Sequence, residues 1–368
     1  MAEPSSAAAP APTPNASNNA LGSAPTERGW GKLFLALAAF ILLPKIPQLA
    51  ALLPVEQTMT LFVPALAACA LVGWWAGGRA YLAIAWVAIA VLMSVRSVVP
   101  PDPFYNLARG WSLLLAGAFG LVCLFNTTRP LFARALVALG VTLVLALVMS
   151  MLGPVTMSQA SSTVGTELAH RNGEFLATLD SVIKANPDSW QEMTAKMPRL
   201  NQFPDETAKN LTETSRAGVI IFPALLSLES IIALALAWAT YHRFSRARLG
   251  PPLKPLREFR FNDQLVWGLI VGLVIMLLPT LSALSGVGKN LLVFFGALYA
   301  LRGLGVLSWF MAPGSLGVTL GLGLVVLAVP ILGAFVALGF IMLGIAALAL
   351  GLGDTWADWR SRARPTSS

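Results

Sequence analysis

The sequence predicts an all-α, polytopic transmembrane helical bundle of about nine or ten spans, with a short extracytoplasmic helical insertion. Three observations carry this. Charged residues make up only 11% of the chain and hydrophobic residues 56%, whereas soluble domains carry roughly a quarter charged residues. The charges stand in a few intervals, and the uncharged runs between them are long enough to cross a bilayer, which takes roughly 20 apolar residues as a helix. The cations gather in particular loops, as insertion topology requires.

The elements follow in order. Residues 1–29 are rich in Ala, Pro, Ser and Asn. With almost no large apolar side chain, burial cannot offset the ordering entropy, and a disordered tail is expected. No basic stretch followed by a short apolar core opens it, so it does not read as a signal peptide. Residues 30–154 hold five spans. The first, Leu33 to Leu53, is interrupted by Pro44, Lys45 and Pro47; the second runs from Met59 to Gly77. The third lies between Arg79 and Arg96, the fourth between Arg109 and Asn126. The fifth, Leu131 to Leu152, ends at Gly153-Pro154, a helix stop.

Residues 155–215 break the pattern with eight acidic and five basic side chains. Leu168, Phe175, Leu176, Leu179, Val182 and Ile183 recur at helical spacing, which predicts an amphipathic helix. Ser189 with Glu192 reads as a capping box opening a second helix. Pro204, Asp205 and Glu206 suit the first turn of a third that leads into the membrane. Residues 216–353 hold spans six to ten, with a basic loop at 242–263. Span six is Ala217 to Tyr241, span seven Gln264 to Leu284, and span eight Asn290 to Met311. As one helix, residues 312–353 would be roughly 63 Å long, about twice the hydrocarbon thickness, so two spans turning near Pro330 or Gly333 are expected. One long bent helix is the alternative.

The positive-inside rule orients the bundle. The basic loop carries Arg243, Arg246, Arg248, Lys254, Arg257 and Arg260. Placed in the cytoplasm, it brings Arg28, Lys32, Arg79, Arg129, Arg134 and the N-terminus to the same side. Arg96, Arg109, Lys289 and the 155–215 insertion fall outside. With two final spans, the tail 354–368 and its Arg360, Arg362 and Arg364 are cytoplasmic. The net charge of +8 therefore reports topology, not nucleic-acid binding, and the expected location is a bacterial cytoplasmic (inner) membrane.

Ionisable residues deep in a span are costly and are functional candidates by default. Lys45, Glu229 and Arg302 qualify. Glu229 and Arg302 are expected to pair, because an unpaired buried charge is strongly unfavourable. One reading makes the three a midplane pocket with surplus positive charge, suited to a small anionic molecule. The other makes Glu229–Arg302 a structural bridge and lets Lys45 snorkel to an interface. Near the C-terminus, Asp354, Trp356, Asp358, Trp359 and Arg360 suit a helix end at headgroup level. The same residues would also serve a cytoplasmic partner, Asp354 and Asp358 being one turn apart. Gly317 and Gly321, like the other glycines of the last spans, point to close helix packing. Neither GxxxxGK[ST] nor HExxH occurs, His170 and His242 have no partner cluster, and Cys69 and Cys123 stand inside apolar runs. No catalytic, metal or cofactor site is expected, and a lipid-modifying enzyme is a distant alternative.

The C-terminal half carries a resemblance. Pro251-Pro252-Leu253-Lys254-Pro255-Leu256-Arg257-Glu258-Phe259-Arg260-Phe261, then Leu265-Val266-Trp267-Gly268, is similar to the YybS-like family of uncharacterised bacterial membrane proteins. Leu298-Tyr299 with Gly303, and the closing Gly351, Asp354, Trp356, Asp358 and Arg360, fit the same pattern. The resemblance covers roughly residues 215–362. It brings no established activity, but implies a general likeness to the substrate-binding membrane subunits of energy-coupling-factor vitamin transporters and to the cell-shape membrane protein MreD. The leading expectation is therefore small-molecule binding or transport through Lys45, Glu229 and Arg302. Lacking an ATPase motif, the chain would need separate motor subunits. The rival is a membrane-embedded scaffold for envelope or cell-shape machinery, acting through residues 155–215 and the Asp/Trp segment.

Overall fold

The computed structural model describes residues 29–45, 53–95, 102–125, 128–153, 155–245, 247, 249–311, 314–327, 330–357 and 359. Among them the chain forms twelve α-helices and no strand. These are α1 Trp30–Leu42, α2 Met59–Trp75, α3 Ala80–Val95, α4 Pro103–Phe125, α5 Leu131–Leu152, α6 Met157–Ala185, α7 Pro187–Lys196 and α8 Phe203–Phe244, followed by α9 Val266–Leu277, α10 Ser285–Phe310, α11 Ser315–Leu327 and α12 Pro330–Ala357. By length and composition, five described helices suffice to cross a membrane: Pro103–Phe125, Leu131–Leu152, Leu200–Phe244, Pro279–Phe310 and Leu338–Ala357. Met59–Trp75, Ala80–Val95 and Asp263–Leu277 are shorter apolar helices. The chain is an all-α polytopic helical membrane protein. The N-terminal tail to residue 28, Pro47, and the arginines at 360, 362 and 364 lie outside the described residues.

Helix α2 forms the axis of the first half. It is apolar all round, and thirteen of its residues are buried, as a helix surrounded by others must be. It packs against α3, α4 and α8. At Gly73 a methyl group would overlap the Tyr241 hydroxyl of α8, so only glycine allows these two helices to meet there. Trp238 and Arg134, both fully buried, fasten the start of the basic loop. The indole of Trp238 donates to the Pro251 carbonyl and the Arg134 guanidinium donates to that of Leu249.

The insertion is a helical hairpin. Thr156 and Gln159 form a reciprocal capping box that opens α6. The box expected at Ser189 and Glu192 is absent: α7 begins two residues earlier, at Pro187, its N-cap Asn186 makes no side-chain capping bond, and Glu192 instead pairs with Lys196 at 2.6 Å. Pro204, Asp205 and Glu206 stand in the first turn of α8. At 42 residues, α8 is roughly 63 Å long, so it cannot be contained in one bilayer crossing. Its first half packs on α6 and its second half enters the bundle.

Inside α8, Pro223 removes one backbone donor and crowds the preceding turn. Asn290 of α10 fills the break. Its Oδ1 accepts from the Ala224 N–H at 2.8 Å, and its Nδ2 donates to the Ile220 carbonyl at 2.7 Å. A side-chain amide from a neighbouring helix is thereby inserted into the 220–224 rung of the ladder.

Helix α10 is the hub of the second half, packed on α8, α9 and α12. Helix α11 ends at Leu327 and α12 begins at Pro330, and the two are unequal in length. Thirteen residues of α11 span only about 20 Å, short of a hydrocarbon core. Gly303 lies against the Ala347 carbonyl and Gly351 against that of Tyr299, so α12 runs antiparallel to α10. Of α11 and α12, only α12 contains a described stretch long and apolar enough to cross a membrane, Leu338–Ala357.

Candidate functional site

Arg302 does not meet Glu229. Its Nε donates to Asp354 Oδ2 at 2.9 Å and its Nη2 to the Asp354 carbonyl, while Nη1 bonds Asp263 Oδ1. Its guanidinium carbon lies 5.5 Å from the Phe261 ring centre, and Phe261 stands edge-on to the buried Tyr299. Gly303 and Gly351 allow α10 and α12 to approach closely enough for this cluster to close. The segments that carry the family resemblance, around residues 261, 299–303 and 351–354, therefore meet at one point. Two carboxylates surround one cation there, which removes the surplus positive charge that would favour an anion. Asp354 is buried in this cluster, so it is not part of an exposed docking face. Trp356 and Trp359 are exposed, and Asp358 and Arg360 lie outside the residues whose side chains are described.

Glu229 belongs to a second polar centre. It is 4% exposed, and its Oε2 accepts from the Val55 backbone N–H at 2.9 Å. Its other oxygen, Oε1, has no hydrogen-bond partner among the described residues. One residue on, Ser230 accepts a bond from the Trp111 indole of α4. Val55 also forms part of the wall of a recess of about 70 Å³ shared by the 53–58 segment, α4 and α6. Glu56, Asp102, Glu167 and Arg171 line the same recess. Arg171, 5% exposed, bridges Glu167 at 2.8 Å, donates to the Leu53 carbonyl and covers the Phe104 ring. Asp102 Oδ1 caps the N–H groups of Phe104 and Tyr105.

Lys45 closes a short 3₁₀ turn after α1 and is exposed. The three candidates thus divide: Lys45 at a surface, Arg302 between two aspartates, and Glu229 behind the Val55 wall. No described partner is common to Glu229 and Arg302. Sequence reasoning passed over Asp263, Arg171 and Glu167. The i,i+4 spacing of Glu167 and Arg171 was a usable signal for one bridge, but nothing local marks a contact with Leu53, 118 residues away. Cys69 and Cys123 are both buried. Among the described residues no three His, Cys, Asp or Glu side chains converge as a metal cage would require.

A family model described as "Predicted membrane protein (DUF2232)" matches residues 36–351. No curated protein and no solved structure matches the chain.

Arg302 reads as a structural residue. Removing one member of a buried, hydrogen-bonded ion pair costs about 3–5 kcal/mol. Arg302→Gln should therefore lower both the amount of folded protein in the membrane and its melting temperature. Asp354→Asn should act the same way, and the double variant should lose less than the sum. Normal accumulation and melting of Arg302→Gln would return this cluster to the list of binding sites.

Proposed function

The chain belongs to the DUF2232 family of predicted membrane proteins, and from that premise we propose that it is a small-solute-binding membrane subunit. The carrying observation is the Glu229 centre: a buried carboxylate with one oxygen unpartnered among the described residues, held against the wall of a polar recess. Polar groups buried in a membrane bundle are normally satisfied by partners or mark a ligand path. Glu229 has only part of its bonding capacity filled, and Arg171 fixes the opposite wall to the Leu53 carbonyl. The recess sits where the insertion meets the bundle, which suits capture from the side the insertion faces. On this reading Lys45 is an entrance cation, and Arg302 supports the scaffold without touching solute.

We place the protein in a bacterial cytoplasmic membrane, N-terminus inside, and keep the YybS-like resemblance for roughly residues 215–362. It performs no chemistry on the solute, and movement of solute is assigned to separate ATPase or transmembrane motor subunits.

A second reading rests on the insertion itself. Of α6 only Val164, Leu168, Arg171 and Asn172 are buried, and α7 buries none. Val182 and Met197 are exposed apolar side chains on the rest of the hairpin. That is a surface for envelope or cell-shape partners, and it makes the protein a scaffold.

The two readings separate on purification in mild detergent, with mass spectrometry of retained small molecules and proteins. Solute binding predicts a small molecule held near one per chain and lost in Arg171→Ala. Deleting residues 173–202 should leave it in place. Envelope proteins retained by the intact chain, lost on that deletion, with no small molecule, would replace binding by scaffolding.

A further inference from the structure

The two helices that meet the recess with their first residues form a second hollow with their last. A groove of about 260 Å³, open along one side, is walled by Val72, Trp75 and Ala76 at the end of α2 and by Cys123 and Leu124 at the end of α4. Leu249 and Gly250, where the chain has left α8, close it. Helix α4 is long and apolar enough to cross a membrane, so its last turn, and the groove with it, stands at headgroup level. Trp75 and Phe125 are each 83% exposed and Trp74 51%, and aromatic side chains of this kind gather at that level.

The walls are apolar, but the surroundings are cationic. Arg134, fully buried, donates to the Leu249 carbonyl and is hydrogen-bonded to Cys123, which puts a guanidinium directly behind the floor. At the rim, Arg79 and Arg129 are exposed. Gly78, next to Arg79, lies against Ala247, which Arg246 and Arg248 flank in sequence. Phe132, three residues after Arg129, packs on Phe259 and Phe261 and so holds the basic loop beside the start of α5. No acidic residue occurs in the stretches that build this end of the bundle, residues 57–101, 103–166 and 230–257. The charge presented to an occupant is positive from every side.

Shape and charge together select the occupant. Pockets for enclosed small solutes run from about 300 to 1,000 Å³ and surround most of the ligand. This groove is smaller and open, which suits one segment of a longer molecule whose remainder lies in the bilayer. An apolar wall below a cationic rim matches a phospholipid with a net negative headgroup, whereas a zwitterionic lipid brings a cation of its own to a rim that repels it.

We propose that this groove binds an anionic phospholipid, with the upper part of an acyl chain against Val72, Leu124 and Leu249 and the phosphate at Arg79 and Arg129. The bound lipid joins the ends of α2 and α4 to the chain leaving α8. The site lies at the other end of α2 and α4 from the recess and does not depend on the solute-binding reading.

The test uses the full chain, purified in dodecylmaltoside and freed of native lipid by washing. Phosphatidylglycerol or phosphatidylcholine with the same acyl chains is then titrated in, and melting is followed by tryptophan emission. A ligand that binds only the folded state raises the melting temperature by mass action. Phosphatidylglycerol should give a saturable rise that shrinks in high salt, and phosphatidylcholine should not. Each arginine at an anionic lipid surface contributes about fivefold in affinity, so Arg79→Gln with Arg129→Gln should weaken binding by about tenfold or more. Ala76→Trp, which puts an indole into the groove, should weaken it with every arginine in place. If Ala76→Trp does not accumulate, Leu124→Trp takes its role. Lys184→Gln, on the far hairpin, should titrate like the parent. Equal shifts with both lipids overturn the proposal. So does a phosphatidylglycerol shift that the arginine pair weakens but groove filling leaves unchanged, which is surface charge alone. A shift of the same size with glycerol phosphate, a headgroup without acyl chains, overturns it as well.

Discussion

Hydrocarbon offers no hydrogen bonds, and every polar group carried into the bundle has to bring its partner along. Arg302 shows the constraint at its most severe. Its side chain is buried near the middle of α10, and it is held by Asp263 from before α9 and Asp354 from near the end of α12. Those two contacts decide how three elements are arranged. They fix where the basic loop turns into the membrane and how far α12 slides along α10, and they require the glycines at 303 and 351 that let the backbones close. Arg134 acts similarly in the first half, where it ties α5 to the loop after α8 through Leu249. The arrangement follows from where the buried charges find partners, since apolar contacts between helices in lipid confer little positional preference.

Much of the architecture was legible in the sequence because it is written in hydropathy and in helix punctuation. The apolar runs, the Gly153 stop and the acidic first turn of α8 are local signals, and local signals survive the absence of coordinates. Pairing across helices is not local. Glu229 and Arg302 were the obvious couple by charge, yet α8 turns Glu229 to the 53–58 segment. Arg302 is closer to carboxylates that look like loop residues on paper: Asp263 sits among the polar residues before a span, and Asp354 beside two tryptophans at a helix end. The capping box was misplaced for a related reason. Ser189 and Glu192 match the pattern, but Pro187 starts α7 ahead of them, and Thr156 with Gln159 satisfies the motif at the true start of α6.

The separation of the two polar centres bears on function. One holds Arg302 between two carboxylates of the second half. The other, around Glu229, lies close to where the insertion docks on the first half. The α6–α8 hairpin connects them only indirectly, through the length of α8.

The amide of Asn290 in the gap left by Pro223 has a consequence for how this chain can vary. The two are coupled: with an apolar residue at 290 the Ala224 N–H and the Ile220 carbonyl would have to close on each other beside the Pro223 ring, and against an unbroken helix the Asn290 amide would keep only the Gly286 carbonyl. The two positions are 67 apart in sequence and on different spans. They should nonetheless change together or not at all, so that an alignment of relatives would show them as one inherited unit, each a reliable indicator of the other's presence.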